Sequence, residues 1–143
     1  MTVDVERIRR LTSAARARGA SVLLETEGLE LLEAAGIPAP PHLFVRNATG
    51  VAAASLDTLD GDRVVVKVVS PQILHKSDVG GVQVVARTPA AVAAAIGEMA
   101  ARLGSPDREI AGFLVSQFVP HDRALGSELL LGLRWTDDAG PVV

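Results

Sequence analysis

The chain has no cysteine and no tyrosine, one tryptophan, three phenylalanines and only two lysines among its 143 residues. Without cysteine there is no disulfide, no thiolate nucleophile and no thiolate-bound metal, and the redox compartment stays open. So few aromatic rings provide no platform for stacking bases, and a formal net charge of -3 offers no attraction to a polyanion. Nucleic acid is therefore not an expected partner. No apolar run approaches the roughly 18–20 residues needed to span a bilayer, so no membrane segment is expected. The arginine-rich N-terminus, "MTVDVERIRRLTSAARARGA", also carries Asp4 and Glu6, and it lacks the apolar run and cleavage site of a secretory signal. The expected location is cytoplasmic. Also missing are the phosphate loop G-x-x-x-x-G-K-S/T, the dinucleotide fingerprint G-x-G-x-x-G, any H-x-x-E-H-type metal spacing and a Ser-His-Asp order.

What remains is 48% apolar, enough for one sizeable core. Residues 3–17 read as a helix with Val5, Ile8 and Leu11 on one face. Residues 22–35 read as a second, with Leu24, Leu31, Leu32 and Ala35 sharing a face and Gly36 suited to the C′ position. "IPAPP" then forces extended chain into a short strand, "HLFVR". The alanine-rich stretch 48–59 leaves a helix open. "DGDR" signals a turn before the β-branched strand "VVVKVV", and "VQVVAR" reads as another strand. Thr88 can cap a helix beginning at Pro89, with Val92, Ile96, Met99 and Leu103 forming a buried stripe. "GFLVSQFV" and "ELLLGLRW" read as further strands. Strands and helices mix without βαβ regularity, which favours an α+β fold. The chain stops on Val142 and Val143 just after a turn, which reads as a strand begun and then cut by truncation.

Both lysines fall in one stretch, "VVVKVVSPQILHKSDVGGV". Lys67 shares a strand face with Val65 and Val69, opposite Val64, Val66 and Val68. Either this is an outer strand with one solvated face, or both faces are covered and the ammonium must meet an anion such as phosphate. Eight residues on, His75 and Lys76 precede Gly80 and Gly81 in the loop "SPQILHKSDVGG". That loop is either a hairpin connection with a Gly-Gly turn or a polyphosphate cradle of backbone N–H groups and lysine. His75 can be a surface residue, a donor to phosphate or a nucleophile. His42 and His121 read as surface residues, and Asp78 as a turn aspartate because a lone carboxylate makes a poor metal site. The polar pair Ser116–Gln117 can offer main-chain groups to a purine edge, and a nearby carboxylate, Glu128, either holds ribose hydroxyls or a positive partner or is a solvent-exposed residue opening a strand.

Four stretches in this order, "LLEAAGIPAP", "VVVKVVSPQILHKSDVGGV", "GFLVSQFV" and "ELLLGLR…GPVV", resemble the ATP-grasp domain of the NDP-forming acyl-CoA synthetases. This is the family of ADP-forming acetate–CoA ligase, related to the β subunit of succinyl-CoA synthetase. The resemblance runs from about residue 22 to the end. It implies an α+β ATP-grasp fold of two lobes, with N-terminal helices over 1–35, a complete small lobe over 36–115, and the hinge and start of a second lobe over 116–143. It implies that Lys67 binds ATP phosphates and that Lys76, Gly80, Gly81 and Val82 belong to a loop folded over them. It further implies that Ser116, Gln117, Phe118 and Val119 meet adenine, and that Glu128 lies near the nucleotide. His75 matches a family histidine proposed to relay the phosphoryl group. The implied reactants are ATP or ADP with Mg2+, whose ligands are expected beyond residue 143, so no metal site is expected in this chain. CoA is expected as a substrate on another domain or subunit that carries the main phosphohistidine, in a hetero- or homo-oligomer. "HDRALGS", between "FVP" and Glu128, is longer than the family's glycine-rich turn. A second role implied for such a domain is a nucleotide-binding regulatory module of a CoA-linked protein lysine acetyltransferase.

Overall fold

The computed structural model describes residues 2–121, 124 and 134–142. Helix α1 spans Val5–Ala17 and opens on Asp4, whose side chain accepts the Arg7 N–H. Helix α2 spans Glu25–Ala34. It closes at Gly36, where a φ of +79° lets the Gly36 and Ile37 N–H groups reach the Glu33 and Leu32 carbonyls. Ion pairs fasten the two helices: Arg7 to Glu30 at 3.1 Å and Glu33 at 3.4 Å, and Arg18 to Glu27 at 2.6 Å. The expected apolar faces turn out differently. In α1 only Ala15 is buried and Val5 is half exposed, while in α2 the buried residue is Ala34 and Leu32 is 38% exposed. Ile8, Leu11, Leu24, Leu31 and Ala35 are partly buried, so the apolar faces are half covered and not sealed, with the ion pairs at their edges.

Four strands form an antiparallel sheet in the order β1–β4–β2–β3, where β1 is His42–Val45, β2 Arg63–Val69, β3 Val82–Ala86 and β4 Gly112–Gln117. Helix α3, Pro89–Leu103, covers one face. Thr88 caps it by accepting the Ala91 N–H, and Val92, Ile96, Met99 and Leu103 are buried as their spacing predicts, together with Ala95. They pack on Val64, Val66 and Val68 of β2 and on Phe113 and Val115 of β4. Residues 48–59 are not an α-helix: two 3-10 turns, Ala48–Ala53 and Leu56–Thr58, deliver Val51, Leu56 and Leu59 to the same core. A helix layered on one face of an antiparallel sheet makes the domain α+β, as expected.

The opposite sheet face carries Lys67. Register places Leu114 and Val82 beside Lys67, and Ser116 and Val84 beside Val65, all on this face. Val84 is 46% exposed here and Phe44, which pairs with Leu114, 45%. Toward the C-terminus, β5 (Arg134–Thr136) and β6 (Gly140–Val142) pair as a hairpin. Residues 128–133, including the start of the expected strand "ELLLGLRW", lie outside the described residues. Among the described residues no helix is long and apolar enough to cross a membrane.

Candidate functional site

Strand β2 alternates between a closed and an open face. Val64, Val66 and Val68 are fully buried against α3, whereas Val65 and Lys67 are partly exposed. Lys67 is thus neither fully solvated nor sealed in; its side chain keeps 31% of its exposure. It does meet an anion. The Lys67 ammonium donates to Oε1 of Glu25 at 2.6 Å, and the Lys76 ammonium donates to Oε2 of the same carboxylate. Both lysines of the protein therefore converge on one side chain from the first turn of α2. Sequence reasoning did not single out Glu25. It lies 42 residues from Lys67 and 51 from Lys76, and nothing local separates it from Glu27, Glu30 or Glu33 on the same helix.

The loop 70–81 is built to present Lys76. At its start, Gln72 takes the Glu109 N–H and Ile73 is buried in the core. At its end, the Gly81 carbonyl accepts the Val68 N–H, which fixes the loop to β2. A Cβ on Gly81 would stand 2.6 Å from Val68 Cγ1 and 3.1 Å from the Lys76 carbonyl oxygen, so only glycine fits. Gly80 adopts φ +67°, and Arg102 of α3 donates to its carbonyl. The N–H groups of Gly80 and Gly81 donate to the Ser77 and Lys76 carbonyls. In this conformation the two glycines close the turn, and their amides are not directed at a ligand.

Between Glu25, Lys67, Lys76 and the loop lies an open pocket of about 580 Å3, to which His75, Asp78 and Val82 also contribute. His75 is exposed at its edge. Burial pushes the Glu25 carboxyl up, but the hydrogen bonds and charges of Lys67 and Lys76 outweigh this and hold it below the usual carboxylate range. Two ammonium groups and one carboxylate leave the cluster with a net charge of +1. Among the described residues, no group of three or more His, Asp or Glu converges as a metal site.

The other predicted residues lie toward the far end of the sheet. Ser116 and Gln117 are the last residues of β4, an interior strand, and the Gln117 N–H donates to the Pro41 carbonyl at 2.9 Å. Ser116 shares the face of Lys67. Gln117 pairs with Val64 and takes the opposite face, where its Oε1 is buried with no hydrogen-bond partner among the described residues. The Phe118 ring lies under the Arg63 guanidinium at 4.3 Å, and Val119 is 54% exposed. Glu128 lies outside the described residues.

Residues 14–143 match the ATP-grasp domain family. The chain is 37% identical over 123 residues to the ADP-forming 4-hydroxybutyrate–CoA ligase of Nitrosopumilus maritimus, covering 85% of this chain and 17% of that protein. It is 34% identical over 123 residues to the β subunit of ADP-forming acetate–CoA ligase I of Pyrococcus furiosus, covering 85% of this chain and 50% of the subunit. Among solved structures it resembles the dinucleotide-forming acetyl-coenzyme A synthetase 1 of Candidatus Korarchaeum cryptofilum, in complex with coenzyme A, Ca-AMPCP and HgCl+. The TM-score is 0.74 at 33% identity, over 93% of this chain and 56% of that one. A Pyrococcus horikoshii protein matches with a TM-score of 0.81 at 25% identity, over 95% of this chain and 56% of that one. The chain thus spans about half, or less, of the length of these relatives.

Proposed function

The chain belongs to the ATP-grasp family, and from that premise we propose that it supplies the phosphate-gripping part of the ATP site of an ADP-forming acyl-CoA synthetase. The observation that carries this reading is the convergence of Lys67 and Lys76 beside an open pocket, held there by a strand and by a glycine-closed loop. Two ammonium groups on rigid backbone are suited to the oxygens of a polyphosphate, where they neutralise charge as it moves during phosphoryl transfer. Ser116 to Val119 lie where β4 meets the start of β2, with Gln117 opposite Val64. Three residues along a strand separate Val64 from Lys67, about 10 Å at roughly 3.3 Å per residue. An ATP molecule with its adenine by Phe118 and its phosphates at the lysines spans that separation. The expected lobe boundary, with the hinge beginning at Ser116, then falls in the last two residues of β4.

The relatives named as ADP-forming ligases join an acid to CoA. In the chemistry proposed here, a ring nitrogen of His75 attacks the γ-phosphorus of ATP. The bond to the β,γ-bridging oxygen breaks and ADP leaves with that electron pair. The phosphoryl group passes to a histidine on a CoA-binding domain or subunit and then to the carboxylate of the acid, giving an acyl phosphate. The CoA thiolate then displaces phosphate to form the thioester. The pocket-edge position of His75, exposed beside Lys76, supports its part in this relay. A divalent ion normally accompanies ATP in such transfers. The described residues do not assemble a ligand set for it.

Titration of ATP into the protein and into its Lys76→Ala variant tests this reading. Loss of most of the affinity in the variant is expected, and equal affinities would remove the assignment.

A further inference from the structure

Glu25 has no task in the phosphate chemistry above, yet it holds both of the lysines assigned to phosphate. We propose that Glu25 is a built-in placeholder: its carboxylate occupies the position of a phosphate between Lys67 and Lys76, and nucleotide phosphate displaces it. Glu25 thereby sets how tightly the site holds phosphate. This inference rests on the assignment of the two lysines to phosphate.

The geometry is that of a bidentate anion. One carboxylate oxygen serves the strand lysine and the other the loop lysine, as two non-bridging oxygens of a phosphate would. The carboxylate cannot share this position with a phosphate. Its side chain is only 23% exposed, and two anions between the same two ammonium groups would repel at close range with little water to screen them. Glu25 belongs to a different element from the lysines it holds. Lys67 is fixed by the β2 ladder and Lys76 by the loop closure at Gly81, whereas Glu25 stands at the start of α2, whose body is tied to α1 through Arg7 and Arg18. Releasing Glu25 therefore frees the site without moving either lysine, and it also cuts the two ion pairs that fasten the start of α2 to β2 and to the loop, leaving the helix held through α1 and freer to open. Until then the carboxylate keeps two ammonium groups together that would otherwise repel each other.

Glu25→Gln removes the charge and keeps the size and one acceptor oxygen. It should bind ADP about tenfold more tightly than the unaltered protein, the scale of one partly screened like charge removed from an anion site. Pyrophosphate should gain by the same factor, because only the phosphates meet Glu25. In the unaltered protein, adding ADP should speed amide hydrogen exchange in α2 from Gly28 onward while slowing it in 67–81. Glu25→Gln binding ADP equally or more weakly, or α2 exchange that is unchanged or slowed by ADP, overturns the placeholder. If ADP binding in the unaltered protein does not depend on Lys67, the phosphate assignment itself fails, and the placeholder with it. If binding depends on Lys67 but Glu25→Gln brings no gain, only the placeholder falls.

Discussion

Replacing Lys67 by methionine separates binding from folding, because the thioether keeps an unbranched stem of similar length across Leu114 and Val82 while deleting the charge. Two magnitudes follow from the site. For stability, the lost interaction is a half-open ion pair at 31% and 23% exposure, and Glu25 keeps its second partner in Lys76. Screened pairs of this kind are worth about 0–1 kcal/mol. At roughly 2–4 °C per kcal/mol for a domain of this size, the melting temperature should fall by no more than about 4 °C. For binding, the phosphate loses one charge-assisted hydrogen bond, about 1.5–3 kcal/mol. The remaining pair of Glu25 and Lys76 is also neutral, where the triad carried +1. ATP and ADP affinity should therefore drop roughly 10- to 150-fold. Calorimetric titration and a thermal melt on the same preparation read both quantities. A variant that melts as expected and binds nucleotide within twofold of the unaltered protein refutes the role given to Lys67. A variant that loses binding only because it unfolds refutes the claim that Lys67 is dispensable for the fold.

Gly81→Ala should destabilise the loop closure by about 1–3 kcal/mol, since its Cβ would overlap Val68 Cγ1; a melting temperature within 1 °C or so of the unaltered protein would contradict this. In the complete enzyme to which this chain belongs, incubation with γ-labelled ATP should leave an acid-labile label that is absent from His75→Ala, and a label retained in the variant removes His75 from the relay. Acid stability should follow Glu25. Its carboxyl titrates below the free value in the folded protein, so its contribution is fully present above about pH 4.3 and is lost as the pH falls through its lower, folded value. Urea midpoints measured at pH 6 and pH 3 should differ more in the unaltered protein than in Glu25→Gln, and equal differences would show that the carboxylate does not report on folding.

The parts of the fold legible in the sequence are those governed by local periodicity. The four-residue and three-residue steps from Val92 to Leu103 became the buried stripe of α3, and the alternation in β2 became a core face and a partly open one up to Lys67, while Val69, on the Lys67 face, is buried as well. Periodicity located α1 but overstated one position: Ile8 and Leu11 are partly buried, whereas Val5, at the same spacing near the helix start, is half exposed. It could not tell Ser116 from Gln117 either, since only the register with β2 assigns one to the Lys67 face and the other to the core. Glu25 was illegible for a different reason. A cation on a half-covered strand requires an anion, and that physical demand was correct, but the chain itself contains one such anion on a helix 42 residues away. The demand that pointed to phosphate is thus already met by a carboxylate, so a partner for Lys67 no longer argues for a ligand on its own. The convergence does: two lysines, one from a strand and one from a loop, share a single carboxylate beside an open pocket, and a polyphosphate brings more charge and more oxygens to those two ammonium groups than the carboxylate it displaces.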